Sequence, residues 1–351
     1  MLKSTSSTLP GFDSLRLLGA LSVLFSHSYL IAQDTEASEP LQQLLKGDKN
    51  IAGLYGVFTF FIVSGFLLAR SLHHNPSILR FAVNRSLRLV PGFCICVLFC
   101  ALVVGPLATS LPVADYFVSG GWLHYIQQSL TTFADAPLPG VFDYTSSIAQ
   151  VVNGSLWSLR AELICYLILL CLWLILPAAG WVALVFATAA MIILTIPSVL
   201  SWLPEFGYPL PYFSAGVVMW WLNHHLGDSR PIAFLCAAGL LTSAMLGFPH
   251  QAFACFGAYL VVYLGCRSTP LTNWIERFGD LSYGLYLFGW PVQQLLRQFL
   301  DLRLPLVLFG ISTLITGALA WCLFHHVERP AMVLRQPVVA WLSRSRPSRI
   351  G

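Results

Sequence analysis

The chain has 351 residues, 57% of them hydrophobic and only 10% charged, with a mean hydropathy of +0.73. A water-soluble domain carries about a quarter charged residues, so this composition excludes one and defines a polytopic membrane protein. The formal net charge of +4 is too small to argue for nucleic acid as a partner, and the cations fall in short runs between apolar segments, as membrane topology signals do.

A membrane-crossing helix needs about 20 mostly apolar residues. On that template the chain is expected to be all-α, a bundle of about ten transmembrane helices near residues 14–33, 53–72, 89–111, 156–176, 180–199, 209–223, 231–248, 251–266, 281–299 and 304–324. The start is short and polar, with Lys3 its one cation and no small-residue cleavage site after the first apolar run. It reads as an uncleaved first helix with a cytoplasmic N-terminus. Strict alternation then makes both termini cytoplasmic. It leaves Lys46, Lys49, Arg160, Arg297 and Arg303 outside and every other cation inside, in line with the positive-inside rule.

The expected organisation is one transmembrane domain over residues 1–330, followed by a basic cytoplasmic tail over 331–351 that anchors on the membrane surface. Two outer segments are long: the acidic loop 34–52, and 112–155, whose stretch VADYFVSGGWLHYIQQSL has the pattern of a short surface helix. The nine cysteines all fall in or beside apolar runs and read as small buried hydrophobes, with neither disulfide nor metal-ligand spacing.

Ionisable groups inside spans cost roughly 2.5–3.5 kcal/mol each on insertion scales, so each asks for a reason. Arg16 and His27 are eleven residues apart in the first helix. That is about three turns, which puts both on one face about 16 Å apart along the axis. Arg16 then sits at the cytoplasmic boundary, with Asp13 three residues earlier as a pairing partner. His27 lies past the bilayer midplane, where a neutral imidazole suits a general base. The alternative is that Arg16 merely snorkels to the surface and His27 bonds between helices.

In the second helix, Ser64-Gly65 permits close helix approach. Arg85 and Arg88 follow, three apart and on one helix face, with Pro91 behind them. The pair fits either a topology signal or a phosphate site, for which the guanidinium fork is suited. The fourth helix sets Ser155, Ser158, Glu162 and Tyr166 in one polar stripe, beside Trp157. Glu162 is the one acid placed well inside a span and needs a partner across the bundle. Tyr283, Tyr286, Trp290, Gln293 and Gln294 add polar groups to the ninth helix, where Pro291 is expected to break it. Glu328-Arg329-Pro330 closes the last helix. Three His-His pairs (His73-His74, His224-His225, His325-His326) put adjacent rings on different faces, so no metal site is assigned.

Asp13-x-x-Arg16, ten intervening residues and His27 resemble the first-helix signature of the acyltransferase-3 family of integral-membrane acyltransferases. FFIVSGFLL, Arg85-x-x-Arg88 before LVPGF, GSLWSLRAEL, SYGLYLFGWP and HHVERP follow in the family's order, over residues 12 to 330. The resemblance implies a ten-helix bundle in a bacterial inner membrane. It also implies transfer of an acyl group, usually acetyl, from cytoplasmic acyl-CoA to a hydroxyl of an exported glycan or lipid-linked saccharide, with no bound cofactor. By that resemblance His27 is essential and Arg16, Arg85 and Arg88 bind donor. Glu162, a catalytic candidate on its own chemistry as a lone carboxylate inside a span, would orient His27 if it faces it. Asp13, Ser64, Ser155, Trp157, Tyr166, Tyr283, Tyr286 and Glu328 would support them. The chain departs from the pattern at Gly289, where many relatives have histidine. The competing reading is a proton-coupled transporter or flippase, since buried Arg, His and Glu also mark transport paths, but no inverted repeat or pair of broken helices supports it.

Overall fold

The computed structural model describes residues 9–45, 50–143, 148, 150–176, 178–196, 198, 199 and 207–344. Lys3, Lys46, Lys49, Arg346 and Arg349, used above for orientation, lie outside the described residues. Among those described there is no strand; the one β-bridge joins Thr109 and Val141.

A helix falls within each of the ten expected ranges. In chain order the elements are α1 (Pro10–Gln33), α2 (Pro40–Leu44), α3 (Ala52–His74) and α4 (Ile78–Ala108, π-helical over Cys100–Val104). The short α5 (Val113–Val118) and α6 (Gly121–Thr132) follow, then α7 (Trp157–Ile175), α8 (Ala179–Thr195), α9 (Leu210–Leu226) and α10 (Arg230–Leu246). The chain continues through α11 (Pro249–Gly265), α12 (Pro270–Glu276), α13 (Ser282–Leu300), α14 (Pro305–Leu323), α15 (Arg329–Val333) and α16 (Arg335–Arg344). The expected surface helix of 112–155 is thus two helices, split at Gly120, whose φ of 69° ends the first turn run.

Five of these helices are long and apolar enough to cross a membrane, or six if the bent pair α11–α12 counts as one span. The other expected spans fall short for physical reasons. Helices α8, α9 and α10 have only 17 residues each. Helix α13 is buried at every position from Ser282 to Gln294, so it packs against protein all round and need not be apolar enough for lipid.

At the centre, α1 packs on α3, α13 and α14, and α3 packs in turn on α9. Small residues permit these crossings. A Cβ on Gly56 would stand 2.5 Å from the Gly19 carbonyl oxygen, and one on Gly65 2.2 Å from that of Phe213. The close approach expected from Ser64-Gly65 is therefore the α3–α9 contact.

Pro291 does not break its helix; α13 runs unbroken through it. A proline removes the N–H that the carbonyl four residues earlier would accept. That carbonyl belongs to Leu287, and it is satisfied instead by Asn153 Nδ2 at 2.8 Å and Cys96 Sγ at 3.3 Å. The cysteines are free as expected, but Cys171, Cys255 and Cys322 are exposed on the bundle's apolar surface rather than buried. Lipid tails are as apolar as a core, so a thiol has no reason to prefer the inside.

Candidate active site

Three cavities stand in line along α1. The first opens near its N-terminal end, has a volume of about 380 Å³, and is walled by Asp13, Arg16, Arg85, Arg88, Asp280 and Arg335 among others. The second is a constriction of about 50 Å³ between Ser64, Ser158, Glu162, Tyr283 and Tyr286, and it shares Arg16, Ser64 and Arg88 with the first. The third, of about 660 Å³, is walled by Ser26, His27, Glu36, Trp157, Tyr208 and Trp290, and shares Val57 and Tyr286 with the second. The Arg16-to-His27 spacing on one helix face thus places the arginine in the first cavity and the histidine in the third.

The first cavity is organised by Asp280, which lies between α12 and α13. Its carboxylate accepts from Arg16 Nη1 at 3.3 Å, from Arg88 Nη2, and from the backbone N–H and hydroxyl of Ser282. Burial alone would raise the Asp280 pKa, but the Arg88 and Arg16 guanidiniums outweigh it and hold the carboxyl below the usual range. Arg88 donates its other arm to Glu328 at 3.0 Å, and Glu328 is only 1% exposed. The partner expected for Arg16 was Asp13. The salt bridge goes to Asp280 instead, because the bundle brings a distant acid nearer than the one on its own helix. Arg85 lines the same cavity without an ion pair to any described residue.

In the constriction, Glu162 accepts from the Ser64 hydroxyl at 3.1 Å and from the Tyr166 hydroxyl one turn on. The structure therefore brings Glu162 to Ser64 and Tyr166; it does not bring it to His27. Ser158 and Tyr286 share a hydrogen bond of 2.6 Å between their hydroxyls, and Tyr286 also donates to the Ser155 carbonyl at 2.8 Å. Ser155 precedes α7, so the polar stripe on that helix consists of Ser158, Glu162 and Tyr166. Tyr283 donates to the Leu89 carbonyl at 2.8 Å and so ties α13 to the arginine-bearing α4.

His27 faces the third cavity. Its ring meets the Trp290 indole edge-on, with centroids 4.8 Å apart, and no described residue hydrogen-bonds either ring nitrogen. Its surroundings are nonetheless fixed. The adjacent Ser26 hydroxyl accepts from the Gly53 N–H at 2.7 Å and donates to Glu39 at 3.3 Å. Glu39, fully buried, also accepts from the N–H groups of Gln42 and Ala52, which clamps the loop after α1 onto the start of α3. One turn before His27, Gln293 Nε2 donates to the Leu24 carbonyl at 2.9 Å and to Ser312 at 3.1 Å. Gly289 lies here as well: a Cβ on it would fall 2.7 Å from Leu24 Cδ1, so the slot is filled by that leucine.

Asp280, Glu39 and Arg335 were not singled out from the sequence. Asp280 sits directly before the SYGLYL motif, Glu39 is one of several acids in a polar loop, and Arg335 lies in the segment read as a tail.

An apolar helical bundle thus holds a histidine without a described hydrogen-bond partner at one cavity and a cluster of arginines at another, toward the opposite end of the same helix. Comparison with known proteins supplies the class. A family model described as an acyltransferase domain matches residues 9–325, and the chain belongs to that acyltransferase-3 family. It is similar to the O-acetyl transferase of Shigella phage Sf6, with 26% identity over 329 residues covering 88% of this chain and 93% of the relative. It is also similar to Nodulation protein 10 of Rhizobium leguminosarum bv. viciae, with 29% identity over 365 aligned positions covering 94% of this chain and 95% of the relative. No solved structure gives a significant match. The protein is a multi-pass membrane acyltransferase.

Proposed function

We propose that the protein is an O-acyltransferase that moves an acyl group, most simply acetyl, from cytoplasmic acyl-CoA to a hydroxyl of a glycan or glycan-like acceptor, such as an exported polysaccharide. The observation that carries the reading is the alignment of three cavities along α1, basic at one end and open around His27 at the other. Acyl-CoA is anionic at its nucleotide end, thin along its pantetheine arm, and reactive at the far thioester. Those three properties match the arginine mouth, the constriction and the histidine cavity in order.

In this reading the phosphates stay at the mouth, which faces the cytoplasm, and the arm passes Ser64, Glu162 and Tyr286. The acceptor enters the larger cavity, whose Trp157, Tyr208 and Trp290 offer flat apolar faces to a sugar ring. A nitrogen of His27 takes the proton from the acceptor hydroxyl as its oxygen attacks the thioester carbonyl. The tetrahedral intermediate then collapses, the carbon–sulfur bond breaks, and the imidazolium returns the proton to the departing thiolate. Free CoA and an O-acyl ester result. Glu162 acts on the arm, held in place by Ser64 and Tyr166. The acetyl and saccharide parts of the reading are supported by the name of the phage relative and by the shape of the third cavity.

The test uses inverted membrane vesicles containing the protein, supplied with acetyl-CoA labelled in the acetyl group. Label is expected in a saccharide fraction, and only when the protein is present. Vesicles that consume no acyl-CoA of any chain length, with saccharide acceptors supplied, would overturn the reading.

A further inference from the structure

The four arginines of the mouth are not equivalent. Arg88 is saturated by Asp280 and Glu328, and Arg16 is engaged by Asp280. Arg85 and Arg335 line the same cavity and make no hydrogen bond or ion pair with a described residue. The Nε of Arg335 is buried without a partner. Helix α16, which begins with Arg335, packs on α4, which carries Arg85, so the two unpaired guanidiniums share one wall. The acids Asp13 and Glu276 of the same cavity belong to α1 and α12, which pack together. Arg85 and Arg335 stand within electrostatic range of each other. The Glu162 carboxylate acts on Arg85 at electrostatic range without forming an ion pair with it. Two like charges without an ion-pair partner of their own repel, and an anion bound between them removes that cost.

We propose that Arg335, from the segment beyond the family match at 9–325, completes an anion seat with Arg85 that holds the phosphate groups of the acyl donor, while Arg16 and Arg88 are the struts of that seat. The chain after residue 328 is on this view part of the donor site. Phosphate suits the pair because two neighbouring forked donors can grip one or two tetrahedral anions. The inference rests on the donor reading above.

The test measures CoA binding to the purified full-length protein in detergent, for the unmutated chain, Arg335→Gln and Arg335→Lys, together with ligand-free thermal unfolding of each. Arg335→Gln is expected to weaken CoA binding about tenfold, the scale of one charge-assisted contact, while Arg335→Lys retains most of the affinity. Both should melt with the unmutated protein, and rising ionic strength should narrow the gap between them. Equal CoA affinity in the unmutated protein and Arg335→Gln overturns the seat and leaves the donor reading intact. A loss of affinity shared by both variants, together with lowered melting, assigns Arg335 a structural role and also overturns it. An unmutated protein that binds no CoA removes the donor reading and this inference together.

Discussion

His27→Ala is expected to lower acyl transfer by roughly 10²–10⁴-fold, the usual contribution of a positioned general base, while the protein melts at an unchanged temperature. The ring faces a cavity, donates no hydrogen bond to a described residue, and touches Trp290 only edge-on. Its removal therefore leaves no buried polar group without a partner. The local backbone is held by neighbours that the substitution does not touch: Ser26 through Gly53 and Glu39, and Leu24 through Gln293. Transfer rates and thermal unfolding in detergent check both halves of the statement. Activity within a few-fold of the unmutated protein would remove His27 from the chemistry.

Arg88→Ala and Arg85→Ala should fail in different ways, although the two residues form one sequence motif. Arg88 neutralises Asp280 and Glu328, and removing it leaves two buried carboxylates without their shared cation. Losing one partner of a buried ion pair costs about 3–5 kcal/mol, so Arg88→Ala should unfold at clearly lower temperature or fail to accumulate in the membrane. Arg85 holds no such pair. Arg85→Ala should fold and melt normally but raise the KM for acyl-CoA about tenfold. Thermal unfolding and donor saturation curves for the two variants separate these outcomes. Arg88→Ala of unchanged stability, or Arg85→Ala of unchanged KM, would contradict the division of roles.

What the sequence made legible was local. The Arg16–His27 spacing follows from helical geometry alone, and the structure sets the two residues at opposite ends of a line of cavities. Ser64-Gly65 marked a close crossing because a missing side chain is a local property. The helices themselves follow from hydropathy, which is why each expected range holds one. Partnership was less readable. Nothing near Arg16 or Arg88 in the chain points to Asp280, which reaches them only when the segment between α12 and α13 folds against α1 and α4. For the same reason Glu162 invited a charged partner across the bundle, but its hydrogen bonds go to two hydroxyls, Ser64 and Tyr166, while Arg85 acts on it only at electrostatic range. Pro291 carried a true local signal, the loss of an N–H, but Asn153 and Cys96 satisfy the freed carbonyl from other elements. Arg335 was hidden by composition, because a basic segment after the last apolar run reads as a surface anchor until the structure turns it back over α4.

The most direct measurement is the position of a non-transferable acetyl-CoA analogue, a thioether in place of the thioester, in a structure of the full protein. Its phosphates are expected between Arg85 and Arg335, its arm passing Ser64 and Tyr286, and its acyl carbon in the cavity faced by His27. An analogue whose acyl end stops beside Glu162, or which binds outside this line of cavities, would contradict that placement.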